Sequence, residues 1–127
     1  MKRLLLVLAA CGDHRSITSC ASDLHGVYVT PAGQTWMMLD NRATLEAYPM
    51  FDDGSGSAAP RLIDLSRVSG GDKLDGTMQR RYGDACTGRA PFHVVACTPD
   101  GLDVVYAEPA SCTDAMPSRA EHWRLLQ

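Results

Sequence analysis

PFHVVACTPDGLDVVYA, residues 91–107, is the stretch that decides the fold. Two runs rich in β-branched and aromatic residues, 91–98 and 102–107, flank Pro99-Asp100-Gly101, where Pro presets a turn dihedral and Gly accepts the exit conformation. Within the first run His93 alternates with Phe92 and Val94, the period of a strand with one face inward and His93 outward. The stretch reads as a β-hairpin.

The same grammar extends upstream. Runs at 24–30, 35–40, 43–50, 61–66 and 73–82 are bounded by Pro31-Ala32-Gly33, Asn41-Arg42, a loop from Asp52 to Pro60, and Ser69-Gly70-Gly71-Asp72. In 61–66, Ile63 and Leu65 share one side and Asp64 takes the other. In 73–82, Leu74, Gly76, Met78, Arg80 and Tyr82 share a face, with Gly76 marking a bulge or bend. Downstream, a cysteine-bearing loop at 108–118 leads to 119–126. Helix propensity competes there, but Trp123 and Leu125 alternate as in a strand. The expectation is an all-β fold, an antiparallel meander of about eight strands forming a small barrel or sandwich. Its expected core includes Tyr28, Trp36, Leu45, Tyr48, Leu62, Leu65, Phe92, Val94, Val104 and Trp123.

The N-terminus sets the address. Lys2 and Arg3 precede a seven-residue apolar stretch, Leu4 to Ala10, which is too short to span a bilayer and ends at Cys11. Leu8-Ala9-Ala10-Cys11 resembles the lipobox of bacterial lipoproteins. That resemblance implies removal of residues 1–10 as a signal peptide, acylation of Cys11, and anchorage in a bacterial membrane through lipid chains. Lipoproteins retained at the inner membrane carry Asp directly after the lipidated cysteine. Here Gly12 follows and Asp13 stands one further, so the resemblance implies the outer membrane, facing the periplasm. Cleavage leaves 117 residues and moves the formal charge from −3 to −5. That length suits one domain, 24–127, joined to the anchor by a polar tether at 11–23. No basic cluster larger than Arg80-Arg81 occurs, which argues against nucleic acid as a partner.

An acylated Cys11 leaves Cys20, Cys86, Cys97 and Cys112, an even set suited to two disulfides in an oxidising compartment. Zinc is the rival, yet no pair has Cys-x-x-Cys or His-x-x-x-His spacing, and no metal or cofactor is expected. In a meander, successive connections alternate between the two ends of the domain. Cys86 and Cys112 then fall at one end and Cys20 and Cys97 at the other, which predicts Cys86–Cys112 and Cys20–Cys97. The strand order also resembles small lipocalin-like envelope domains, which open on a Gly-x-Tyr strand, here Gly26-Val27-Tyr28, and close on a Trp-bearing one, here Trp123. The likeness is one of fold and carries no argument for ligand carriage.

No catalytic constellation stands out. His14, His25, His93 and His122 lack the local signatures of hydrolases or metalloenzymes, so an enzyme is the least expected class. Asp52-Asp53 lacks the alternating carboxylates and distal Glu of a calcium loop, and Gly70-Gly71 lacks the Lys-Ser/Thr of a phosphate cradle. Candidate binding residues are Phe51, Asp52 and Asp53, on a flexible loop, and Arg80 and Arg81, which offer a cation to a carboxylate or phosphate. The expected function is that of a lipid-anchored periplasmic module binding another envelope protein, as an inhibitor or immunity factor for a cell-wall-targeting enzyme. The alternatives are a lipocalin-like carrier of a small ligand and a structural subunit of an envelope assembly.

Overall fold

A computed structural model describes residues 16–50, 61–68 and 72–126. Eight strands follow in chain order: β1 (Gly26–Val29), β2 (Thr35–Asp40), β3 (Thr44–Met50), β4 (Arg61–Arg67), β5 (Leu74–Tyr82), β6 (Cys86–Thr98), β7 (Gly101–Tyr106) and β8 (Arg119–Leu126). Each pairs antiparallel with its neighbours, and β8 pairs back onto β1, so the sheet closes into a barrel and no strand edge is left open. The strand reading of 119–126 holds.

Closure places the β1–β2, β3–β4, β5–β6 and β7–β8 connections at one end, here the upper, and the other connections at the lower end. The disulfides obey that alternation. Cys86–Cys112 spans the upper end with Cα atoms 5.8 Å apart, and Cys20–Cys97 the lower end at 5.1 Å.

The interior is filled by side chains. Trp36 and Trp123 stack at 5.5 Å between ring centroids, and Phe92 and Tyr106 meet Trp123 edge-on at 5.3 and 5.7 Å. Beneath them Leu45, Ile63, Leu65, Leu74, Val94 and Leu102 are buried. Gly76 is needed where β4 and β5 pass: a Cβ there would lie 1.7 Å from the Asp64 carbonyl oxygen. Two expected core residues lie elsewhere. Tyr48 faces out, 40% exposed, and donates its hydroxyl to Glu46 Oε1 at 2.8 Å; Leu62 is half-buried because Ile63 takes the inward phase.

Strand β6 starts at Cys86, five residues before its expected start at Pro91, because β5 runs to Tyr82 and pairs with it down to Tyr82↔Cys86. Near its other end the register with β7 shifts between Val94 and Ala96. This bulge reverses the alternation, so Val94 pairs with inward Val104 and Cys97 pairs with inward Leu102. Cys97 is thereby turned to the inner face, where Cys20 meets it.

The described part of the expected tether, residues 16–23, packs against the lower end instead of standing off it. Ile17 and Cys20 are buried there with Leu24, and Ile17 N–H donates to Pro99 O at 3.2 Å. Cys20 N–H donates to Asp72 Oδ1, and Tyr28 hydroxyl to Leu24 O. Arg67 ties this segment to the barrel, donating to Cys20 O and Ser22 O at 3.1 and 2.8 Å while holding Asp40 bidentately at 2.7 and 2.6 Å.

Candidate binding site at the barrel mouth

The upper ends of β4, β5 and β8 carry charged residues at inward phases. Arg61 continues the side of Ile63 and Leu65, Arg80 that of Met78, and Arg119 and Glu121 that of Trp123 and Leu125. With Glu108, just past β7, they crown the aromatic core. A cavity of about 180 Å³ opens at this end, lined by Gln34, Trp36, Arg61, Met78, Tyr106, Glu108, Arg119 and Glu121 with Thr30 and Ala32; Arg80 lies outside its lining.

Half of this mouth is a closed network. Arg119 Nη2 donates to Tyr106 Oη at 2.7 Å and to Glu108 Oε2 at 2.6 Å, while its Nε lies 3.0 Å from Glu121 Oε2. Glu121 Oε1 accepts from Tyr106 hydroxyl at 3.0 Å and from Trp123 Nε1 at 2.9 Å. Burial pushes the Tyr106 hydroxyl up to about 12; Glu121 adds to the rise and Arg119 works against it. The hydrogen bonds to Tyr106 and Glu108 hold Arg119 above the usual arginine value despite partial burial. The phenol is therefore a neutral hydrogen-bonding group, and the mouth a set of fixed charges.

The other half is built on Arg61, whose direct cross-strand partner is Arg80. Arg61 lies over Trp36, its guanidinium carbon 5.0 Å from the ring centroid, and donates to Gln34 Oε1 at 3.3 Å; Glu108 Oε1 stands 3.8 Å away. Arg80 is the next inward residue above Met78 and lies 5.7 Å from the Tyr82 ring. Among the described residues, its Nε is the buried side-chain nitrogen or oxygen with no hydrogen-bond partner. Its neighbour on β6 is Gly88, where a Cβ would come within 2.3 Å of Ser111 O. The 108–118 loop can cross here because Gly88 has no side chain. Cys86–Cys112, Tyr82 hydroxyl to Pro109 O at 2.8 Å, and Met116 N–H to Glu108 O at 2.8 Å fasten it.

Of the residues singled out from sequence, Arg80 lies at an inward phase above Met78 but does not line the cavity, whereas Arg81 is exposed and turns away to Gly83 O. Phe51, Asp52, Asp53, Cys11 and His14 lie outside the described residues. His93 faces outward, 2.7 Å from Asp75; His122 contacts Asp103 and Asp100 at 2.7 and 3.1 Å, and His25 contacts Asp23 at 2.9 Å. No group of three or more His, Cys, Asp or Glu suited to a metal occurs among the described residues. Sequence reasoning missed Arg61, Glu108, Arg119 and Glu121. Three of these could have been found by carrying the inward phase of each strand through to its charged end.

A second concavity, an open groove of about 680 Å³, lies at the lower end between Ala21, Ser22, Asp23, Asp40, Arg42, Ala43 and Arg67. Its Arg67–Asp40 pair is already committed to holding the N-terminal segment. Compared with known proteins, the chain matches no protein family, no curated protein and no solved structure.

Proposed function

We propose that this chain is a lipid-anchored envelope protein, acylated at Cys11, whose barrel binds another protein through its upper mouth and acts as an inhibitor or immunity factor for a cell-wall-targeting enzyme. The observation that carries the reading is a mouth of prearranged charges over a filled interior. A carrier needs room, and pockets for small ligands usually hold about 300–1,000 Å³. The mouth cavity, at about 180 Å³, sits on packed Trp36, Trp123 and Tyr106 and is too small for a lipid, and the larger groove at the lower end is open and lined by the Asp40–Arg67 pair that holds the N-terminal segment. Fixed ion pairs on a closed barrel instead suit a surface that loses little conformational freedom on docking. The outer membrane, facing the periplasm, is the proposed location.

Two experiments test this. Radiolabelled palmitate is expected to mark the wild-type chain and not Cys11→Ser; absence of label from the wild type sinks the anchor. The oxidised mature protein, added to turbidity assays of peptidoglycan hydrolysis by muramidases and amidases, is expected to slow at least one class with stoichiometric dependence and to co-elute with it. Unchanged rates for every class, with no complex on size exclusion, sink the inhibitor.

A further inference from the structure

An ion pair held open beyond hydrogen-bond length leaves room for a third group that bridges it. Arg61 and Glu108 form such a pair in the lining of the mouth cavity: Arg61 Nη1 stands 3.8 Å from Glu108 Oε1, with the side chains 18% and 23% exposed. Each is kept in place by other contacts. Arg61 lies over Trp36 and donates to Gln34 Oε1 at 3.3 Å, while Glu108 is fastened through Oε2 to Arg119 at 2.6 Å. Among the described residues nothing donates a hydrogen bond to Glu108 Oε1. We propose that this open pair is the receptor for a small zwitterion, an α-amino acid of about alanine's size, whose ammonium binds Glu108 Oε1 and whose carboxylate binds Arg61 Nη1.

Charge, spacing and size all select such a ligand. Among the described residues the cavity lining holds Arg61 and Arg119 against Glu108 and Glu121, a balance of zero. A free anion or cation would add an unmatched charge there, and a zwitterion does not. In an α-amino acid the ammonium and carboxylate stand about one hydrogen-bond length apart, ~2.8 Å. With Oε1 and Nη1 they close a quadrilateral of alternating charge, whose long side is the 3.8 Å gap and whose other sides are each about 2.8 Å. Glu121 is already engaged by Tyr106, Trp123 and Arg119, which leaves Glu108 as the carboxylate that receives the ammonium. At ~30 Å³ for each water-sized group, a cavity of about 180 Å³ takes about six, which matches the non-hydrogen atoms of alanine. Trp36, Met78 and Tyr106 supply apolar wall for its methyl group. The site goes beyond the function proposed above and needs no protein partner.

The test follows backbone amide and arginine Nε–H signals by NMR in the oxidised protein. Alanine, sodium acetate and methylammonium chloride are titrated separately, with sodium chloride at matched ionic strength as reference. The expected result is a saturable shift of the Arg61, Gln34 and Tyr106 signals with alanine, and none at Arg81, which turns away from the mouth. Acetate and methylammonium, each matching one charge only, should bind at least about tenfold more weakly, and Glu108→Gln should weaken alanine binding about tenfold or more, in keeping with loss of a charge-assisted bond. Mouth signals that alanine does not shift, or that acetate saturates equally well, overturn the site. So does unchanged alanine affinity in Glu108→Gln, whose amide spectrum checks the fold; should that variant fail to fold, the comparison of the three ligands on the wild type still decides. Alanine binding with no hydrolase inhibited would spare this site and sink the inhibitor reading; inhibition by a protein that binds no alanine would do the reverse.

Discussion

Replacing Asp40 with Asn should remove a measurable, pH-dependent share of the barrel's stability. The Asp40 side chain is only 4% exposed, and burial alone would raise its pKa. Hydrogen bonds from Arg67 at 2.7 and 2.6 Å, from Leu24 N–H at 2.9 Å and from Arg42 N–H at 2.8 Å, with the Arg67 charge, outweigh burial and bring it from 3.8 down to about 2. At 1.36 kcal/mol per pH unit, that depression corresponds to about 2.5 kcal/mol favouring the folded state at neutral pH. The same carboxylate supports Arg42, whose φ of 76° is a conformation that non-glycine residues adopt at a cost. Asn keeps one acceptor oxygen but no charge, so the expected loss at pH 7 is about 2–3 kcal/mol, or ~10 °C in Tm for a domain of this size.

The sign of the pH effect is fixed by a folded-state pKa below the unfolded one. The stabilisation is complete above the unfolded value of 3.8 and fades as pH falls towards about 2, where the folded carboxylate takes up its proton. Urea unfolding followed through the buried Trp36 and Trp123 at pH 5 and pH 2 measures it. The gap between wild type and Asp40→Asn should narrow by about 2 kcal/mol over that interval. Other carboxylates titrate in both proteins and cancel to first order. A gap that stays constant from pH 5 to pH 2 would refute the ionic account and leave only lost packing.

Loop closure ranks the two disulfides. Cys20–Cys97 closes 77 residues of separation and Cys86–Cys112 closes 26, so removing the first by paired Cys→Ser replacement should cost about 4.5 kcal/mol against about 3.5 for the second. Urea unfolding of the two variants checks the order, and the reverse order would count against an origin in chain entropy. Gly76→Ala sets a methyl group against Asp64 O at 1.7 Å and Leu65 Cα at 2.9 Å, backbone atoms that cannot swing aside. Its expected cost exceeds about 3 kcal/mol, whereas Gly33→Ala, with open space around it and only its φ of +92° to strain, should cost about 1 kcal/mol. Thermal unfolding compares them; a Gly76→Ala protein within about 1 kcal/mol of wild type would mean that the β4–β5 pair can part freely.

Strand positions were legible because a barrel with a filled interior demands period-two burial, and turn residues mark its corners. Strands β2 and β8 lie where their alternation and flanking residues put them, and the disulfides follow from the alternation of ends alone. What escaped lies where that period breaks. Carried through β6 without interruption, it would turn Cys97 outward with His93 and Val95; the bulge after Val94 turns it in. Residues 16–23 look like a tether because their buried groups are few and irregularly spaced. Yet Ile17 and Cys20 fill the lower end, and the anchoring contacts come from distant Asp72, Asp40 and Arg67, which no local pattern records. The charged lining of the mouth was not legible. Arg80 was singled out for its charge, but its cross-strand neighbour Arg61 and the Glu108–Arg119–Glu121 network become neighbours only when β4, β7 and β8 close around the same end.

The two ends of the barrel differ in what their charged groups hold. The lower end is sealed by Ile17, Cys20 and Leu24, crossed by the Cys20–Cys97 bridge, and tied by Arg67 to the backbone of Cys20 and Ser22. The chain reaches the barrel at that end. Under the lipid-anchor proposal the five residue steps from Cys11 to Ser16 span at most about 18 Å even when fully extended, so the acylated cysteine holds the lower end close to the bilayer. The packing of residues 16–23 removes the slack that a loose tether of the same length would have had. Under the same proposal the upper end, on the opposite side of the closed sheet, is the end that points away from the lipid surface. Asp40 and Arg67 at the lower end are committed to holding the chain, whereas Arg61, Glu108, Arg119 and Glu121 at the upper end are set around a cavity. If the chain is anchored as proposed, the lower end is the one held and the upper mouth is the face left to a partner.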